Sequence, residues 1–244
     1  MTNSVLVLGG RSDIGSAIAR RFAAAGHSVI LAARNAESLE QDRADIALRH
    51  DVDVRAVEFD VLDTAGMNGF INGLGDLPKV VVSVVGVMGE QDENERDPDA
   101  AARVMRVNYE GPSLILGLFA ERMAARGSGT LVGISSVAGD RGRATNYIYG
   151  SAKAGFTAFL SGLRNRLAKL GVHVVTVKPG FVATRMTEGK DLPGALTADP
   201  KEVADSVHNA VQGRKDVVYV RLIWWPLMTV IRAIPEQIFK KMKL

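Results

Sequence analysis

The chain has no cysteine among its 244 residues, which excludes disulfides, thiolate metal sites and cysteine nucleophiles. Histidine is nearly as scarce. His27, His50, His173 and His208 lie far apart and none has the paired spacing of a metal motif, so no metal is expected. Long apolar runs are missing too. The longest uncharged stretch near the C-terminus, Leu222 to Ile231, is ten residues, about half of the ~20 that span a bilayer. No Pro/Ser-rich linker, low-complexity tract or internal repeat divides the chain. Its length suits one domain, since single cores stop growing near ~250–300 residues. Met-Thr-Asn-Ser leads directly into an apolar run with no basic leader, so a cytoplasmic location is expected.

A strong charge of one sign is also absent. The net charge is +3, and from Val217 onward there are five basic residues and one acidic. The rest of the chain carries 25 basic and 26 acidic residues. The body is neutral and the tail is basic, so no nucleic-acid groove is expected.

What is present is alternation. Short β-branched runs (4–8, 28–33, 54–59, 79–85, 130–134, 172–178 and 217–220) alternate with segments of helical period (14–25, 36–49, 64–73, 99–126, 148–170 and 200–212). The runs are almost continuously apolar, as in a parallel sheet covered on both faces. The expectation is an α/β fold in one domain, a doubly wound seven-stranded parallel sheet flanked by helices. Two loops look irregular: Gly86–Pro98, which is acidic, and Phe181–Asp199, which suits a mobile cover over a site. Residues 1–221 are assigned to the domain, with the substrate loop at about 181–199, and 222–244 to a basic aromatic tail.

The first strand runs into Gly9-Gly10-Arg11-Ser12-Asp13-Ile14-Gly15. Glycines there let the backbone approach a pyrophosphate, and the helix N-terminus that follows offers free N–H groups. Asp13 is repulsive to a phosphate unless it turns away, for example to cap a helix starting at Ile14. Arg11 and Arg34 suit the 2′-phosphate of NADP, because the second strand ends Leu31-Ala32-Ala33-Arg34 without the carboxylate an NAD site uses. NADP(H) is therefore expected over NAD(H).

Tyr149 and Lys153 are four apart at the start of a helix and share one face. An ammonium beside a phenol favours the phenolate and lets it shuttle a proton. Tyr147 lacks that relation to Lys153. Ser136, thirteen residues before Tyr149, could hold a carbonyl oxygen, and Asn108 could relay protons.

In this combination the chain resembles the short-chain dehydrogenase/reductase family, in its single-domain Rossmann branch, over nearly its whole length. The family's glycine turn looks like Gly9–Gly15, which implies cofactor contacts from Gly9, Arg11, Ser12, Ile14 and Gly15, with Arg34 after the second strand. Its Asp-Val pair looks like Asp60-Val61. Its catalytic residues fall on Asn108, Ser136, Tyr149 and Lys153, the last two also touching cofactor. Its Pro-Gly falls on Pro179-Gly180, with Val182 and Thr184 holding the carboxamide. The family's Asn-Asn-Ala-Gly appears as Ser83-Val84-Val85-Gly86, which leaves Val85 and Gly86 as cofactor contacts. Leu8 stands where the family has Thr, and Asp13 where it has glycine.

Three segments are similar to the decaprenylphosphoryl-2-keto-ribose reductase branch: Gly9–Gly15, Ser135–Arg141 and Ile234–Lys240. That likeness implies an NADPH-dependent carbonyl reductase acting on a lipid-linked 2-keto sugar. A soluble ketone or acyl thioester is the alternative substrate, and a non-catalytic NADP-binding sensor or assembly protein is the alternative role. A homodimer or homotetramer is expected. Trp224, Trp225, Arg232, Lys240, Lys241 and Lys243 give the tail the composition of a segment at an anionic membrane surface. The competing reading packs it on the cleft or on a neighbouring subunit. Arg141 and Arg143 are candidate partners of a substrate phosphate.

Overall fold

The computed structural model describes residues 3–189 and 191–242. Lys190 of the cover loop and Lys243 of the tail lie outside the described residues. The strands are β1 (Ser4–Leu8), β2 (Ser28–Ala33), β3 (Val54–Glu58), β4 (Val80–Ser83), β5 (Gly129–Ile134), β6 (Val172–Lys178), β7 (Phe181–Val182), β8 (Thr197–Ala198) and β9 (Val217–Tyr219). The helices are α1 (Asp13–Ala23), α2 (Glu40–His50), α3 (Met67–Gly73), α4 (Gln91–Arg96), α5 (Pro98–Met105), α6 (Gly111–Arg126), α7 (Tyr147–Leu167), α8 (Pro200–Gln212), α9 (Trp224–Ala233) and α10 (Glu236–Phe239).

Seven strands form one sheet in the order β3-β2-β1-β4-β5-β6-β9, all parallel. This is the expected doubly wound Rossmann arrangement. The apolar runs are continuous because both faces are covered. Val5 and Val7 face Ile18, Phe22, Ile46, Val203 and Val207 of α1, α2 and α8. Leu6 and Leu8 face Met67, Ile115, Phe119, Phe156 and Leu160 of α3, α6 and α7. The strand order reverses between β1 and β4, where Leu8 is level with Ser83. The loops that follow these two residues therefore emerge side by side, at the switch point where such sheets take ligands.

The helices differ from expectation in instructive places. Residues 99–126 are not one helix: α5 and α6 flank a π-helical segment, Arg106–Glu110. Pro112 has no N–H to give the Asn108 carbonyl, so the helix widens there, and the Gly111 N–H reaches back to the Arg106 carbonyl. The start of α5 is set by Asp97, whose carboxylate accepts from the Asp99 N–H at 2.9 Å. The acidic loop after Gly86 contains α4, with Asp92 and Glu93 in its first turn and Arg96 in its last. Asp199 caps α8 as expected, in a reciprocal box with Glu202. The cover loop is tied at its base by the short β7–β8 pair.

The tail is helical and two-sided. Trp224 and Met228 are buried against Val137, with Phe181, Leu196 and Tyr219 around them. Leu222, Trp225 and Val230 face outward at 82%, 61% and 64% exposure. Among the described residues, no helix is long and apolar enough to cross a membrane.

Candidate active site

At the end of β1 the backbone turns at Gly9 with φ 94, a conformation that L side chains rarely adopt. A Cβ on Gly15 would lie 2.4 Å from the Gly9 carbonyl oxygen, so α1 can start this close only with glycine there. The cap of α1 is Ser12, whose Oγ accepts from the Gly15 N–H at 3.0 Å and donates to the Gly9 carbonyl at 2.8 Å. The expected capping role of Asp13 is therefore a correction. Its carboxylate turns to the cover loop and accepts from the Arg185 backbone N–H at 2.8 Å and from Arg185 Nε at 2.9 Å. Arg185 Nη2 also donates to the Arg11 carbonyl at 2.7 Å. A cation from far along the chain thus neutralises the carboxylate that stands where the family has glycine.

A groove of about 670 Å³ opens beside this turn, lined by Gly9, Arg11, Ser12, Arg34, Asp60, Val61, Val85 and Gly86 among others. Arg11 and Arg34 are exposed. Asp60 Oδ1 accepts from the Leu62 N–H at 2.9 Å and shapes the turn after β3. Glu58 holds the turn after Arg34 by accepting from the Asn35 and Ala36 N–H groups at 2.9 and 2.8 Å. Arg103 of α5 also lines the groove. Sequence reasoning missed it, because it sits in an ordinary helical stretch with no motif around it.

A second cleft, of about 820 Å³, meets the first at Val84 and Gly86. It is lined by Ile14, Ser136, Tyr149, Lys153, Pro179, Gly180, Val182 and Thr184, together with Arg143, Asn146, Phe181 and Met186. Of the expected site residues, Gly15 and Asn108 line neither cleft. Gly15 acts inside the turn. Asn108 is fully buried beneath the cleft, where its Nδ2 donates to the Val87 and Val104 carbonyls at 2.6 and 2.8 Å. Its Oδ1 is buried with no hydrogen-bond partner among the described residues. A Cβ on Gly86 would lie 2.8 Å from that oxygen and 3.4 Å from Lys153 Nζ, so the absence of a side chain at Gly86 keeps the space between them open.

Tyr149 and Lys153 share a face of α7, with Nζ 5.7 Å from the tyrosine ring centroid. Lys153 is buried and donates to the Ile134 carbonyl at 3.0 Å. Burial pulls its pKa down to about 8. Burial also pushes the Tyr149 phenol up to about 12, partly opposed by a hydrogen bond with Ser136. The downward shift expected for Tyr149 from the ammonium is therefore not found: burial of the phenol sets the direction, and Ser136 is the group that opposes it. The phenol is held protonated, poised to donate. Ser136 Oγ accepts from the Ala138 N–H at 3.1 Å, which fixes the hydroxyl on the same wall.

Two further supports are built from pairs distant in sequence. Lys178 and Asp140 form a buried ion pair at 2.5 Å, and the Tyr219 hydroxyl donates to the other carboxylate oxygen at 2.8 Å. Burial and the Asp140 carboxylate push the Tyr219 phenol well above its ordinary range. The pair joins the turn that begins at Ser136 to the strand end at Pro179. Behind Pro179, the indole of Trp224 lies against Gly180, where a Cβ would come within 2.0 Å of it, and its Nε1 donates to the Leu196 carbonyl at 3.2 Å. Arg141, expected as a phosphate partner, is committed elsewhere. It bonds the Glu236 carboxylate at 2.7 Å and stacks on the Phe239 ring at 4.2 Å, so it anchors the tail.

The residues present fit a dinucleotide: a glycine cradle that a Cβ would fill, a helix N-terminus, and arginines without an ion-pair partner among the described residues. No group of residues that could hold a metal ion occurs among those described.

A family model for short chain dehydrogenases matches residues 3–192. The chain belongs to the short-chain dehydrogenase family. As a member it is an oxidoreductase with that family's nucleotide-binding fold. It is 37% identical over 242 residues to an uncharacterized oxidoreductase of Mycobacterium tuberculosis, covering 98% of this chain and 96% of that one. A similarly named protein of Streptomyces coelicolor is 36% identical over 243 residues, covering 98% and 95%. Among solved structures, a short-chain dehydrogenase from Sphingobium yanoikuyae in complex with NADPH superposes with a TM-score of 0.82 at 24% identity, covering 96% of this chain and 97% of that one. A Burkholderia cenocepacia short chain dehydrogenase in complex with NADP gives 0.82 at 23% identity, covering 96% and 95%. At these identities the structural likeness concerns the fold.

Proposed function

We propose that this short-chain dehydrogenase is an NADPH-dependent carbonyl reductase whose catalytic residues are Ser136, Tyr149, Lys153 and Asn108. The observation that carries the reading is geometric: Tyr149 shares a face of α7 with Lys153 and lines one cleft with Ser136, and that cleft joins an arginine-bearing groove at Gly86. Arg11, Arg34 and Arg103 would hold a 2′-phosphate, and the residue directly after β2 is Arg34 rather than a carboxylate that would grip ribose hydroxyls. The NADPH and NADP named with the two structural neighbours support the same cofactor.

Pro179, Gly180, Val182 and Thr184, which line the second cleft, would hold the nicotinamide end of NADPH, and the cofactor would supply the hydride for the carbonyl carbon. Ser136 and Tyr149 hold the carbonyl oxygen. As charge grows on that oxygen, Tyr149 gives it the phenolic proton, and the product is the alcohol. Lys153, cationic below about pH 8, stabilises the phenolate left behind. The Asn108 oxygen, unpartnered among the described residues, would accept from a water that returns the proton. The test is isotopic. With NADPH deuterated at the transferring position and a simple ketone, mass spectrometry should find one deuterium at the carbinol carbon. A reduced product without deuterium contradicts the reading.

The outward face of α9 favours a second element. Leu222, Trp225 and Val230 are exposed beside Arg232, with Lys240 and Lys241 following. This is the composition of a segment resting on an anionic membrane at the inner, cytoplasmic face. It supports the lipid-linked 2-keto sugar as substrate over a soluble ketone or acyl thioester. Co-sedimentation with phosphatidylglycerol vesicles should fall when Trp225 and Val230 are both changed to Ser. If light scattering shows a homodimer or homotetramer that this change dissociates, that face belongs to a second copy. An enzyme-dead outcome for every carbonyl, with NADPH still bound, would favour a non-catalytic sensor.

A further inference from the structure

One charged side chain in the substrate cleft has no role in the mechanism above. Arg143 lies six residues before Tyr149, on the segment leading into α7, and lines the cleft with Tyr149 and Asn146. Its Nε is buried with no hydrogen-bond partner, and among the described residues its guanidinium makes no ion pair. Its neighbour Arg141 is spent on Glu236 and Phe239, which leaves Arg143 as the guanidinium of this loop that faces the cleft. Burial lowers its pKa, yet an arginine remains cationic at any pH a protein tolerates. A partly buried guanidinium with an unsatisfied Nε–H is costly, and a ligand anion in the cleft would satisfy both the donor and the charge.

The surroundings give the sign and the shape. Among the described residues no carboxylate lines this cleft, and apart from Lys153 and Arg143 its walls are largely apolar: Met88, Val137, Phe181, Val182 and Met186. Glu90 and Asp92 stand in an adjoining groove that shares Asn146, Tyr149 and Phe181 with it. Next to Arg143, the Asn146 Oδ1 is also buried and unpartnered, although Asn146 sits where a cap of α7 would bond. It offers an acceptor to a substrate hydroxyl.

We infer that Arg143 is the anion-binding residue of the substrate cleft, and that the ketone reduced here carries a carboxylate or phosphate on an otherwise apolar body. The inference rests on the reductase reading. The anion is bound by paired N–H donors of the guanidinium, and the apolar body lies against Phe181 and Met186, which leaves the carbonyl at Tyr149.

Three ketones with one apolar body test it: 2-oxo-4-phenylbutanoate, its ethyl ester, and 2-oxo-4-phenylbutyl phosphate. With NADPH, the wild-type kcat/KM should favour at least one anion over the ester by about tenfold or more, as a charged hydrogen bond provides. The preferred anion tells carboxylate from phosphate. Arg143→Met should reduce that preference to near unity, and Arg143→Lys should keep part of it. Calorimetric titration of Tyr149→Phe with the same compounds, cofactor-loaded and unreactive, should show the same order of affinity. Equal kcat/KM and equal binding for ester and anions in the wild type would overturn the inference, as would an anion preference that survives in Arg143→Met. If all three ketones bind and none is reduced, the reductase reading fails, and the calorimetric order alone decides the role of Arg143.

Discussion

The two clefts that meet at Gly86 are held by different physics. The nucleotide groove is a matter of backbone: Gly9 at positive φ, Gly15 against the Gly9 carbonyl, and exposed arginines in water. The second cleft, proposed for substrate, depends on buried polar groups: Lys153 on Ile134, the Lys178–Asp140 pair behind its wall, and an Arg143 Nε with no partner among the described residues. Exposed cations are screened by salt, whereas buried ones are screened much less. The first region can lose a charge and lose only affinity. In the second, a lost charge acts on stability and chemistry together.

The largest effect should come from breaking the buried pair. Asp140→Ala leaves Lys178 buried and unpaired, so denaturant unfolding should show a loss of about 3–5 kcal/mol. The double change Asp140→Leu with Lys178→Met should recover much of it. If the single change costs no more than a surface substitution, the contrast between the regions is wrong. In the nucleotide groove, Arg34→Ala should leave unfolding midpoints unchanged while NADPH binding weakens about ten- to a hundredfold, the share of a charge-assisted bond. NADH binding should barely move, and the gap between the cofactors should narrow as salt is raised.

Lys153 sharpens the comparison through pH. Its pKa in the fold is about 8 against an ordinary 10.5. Between those values the unfolded chain binds more protons, so stability rises with pH from about 8 to 10.5 relative to a chain without this lysine. Lys153→Met should therefore be more stable than wild type at pH 7, by on the order of 3 kcal/mol, and melt at a higher temperature, with the advantage fading towards pH 10. The same change should abolish turnover. Thermal melts of both chains across that range check the sign. The smallest effect belongs to the link between the regions. Asp13 and Arg185 are joined at a partly exposed site, and Asp13→Asn should cost less than about 1 kcal/mol. It should show instead as faster proteolysis of the cover loop.

The same division explains what the sequence made legible. Continuous apolar runs announce a covered parallel sheet, and all seven strands of that sheet lie where the runs are. Tyr149 and Lys153 could be paired from spacing alone, because a helix face is a local property. The Asp13 partner, Arg185, is 172 residues away, and those of Asp140 and Arg141 are 38 and 95 residues away. Nothing local marks such pairs. A charged residue ending an apolar strand, Lys178, was a usable signal of a buried partner. The upward shift of Tyr149 was out of reach for the same reason: spacing reveals the ammonium, while burial, which sets the direction, comes from packing.

The most direct measurement is NADPH oxidation by the purified chain with a ketone, for wild type and Tyr149→Phe, with the NADPH dissociation constant determined on the same samples. The account predicts oxidation by wild type, a loss of about 10²- to 10⁴-fold in the variant, and an unchanged dissociation constant. A variant that turns over as fast as wild type would contradict it.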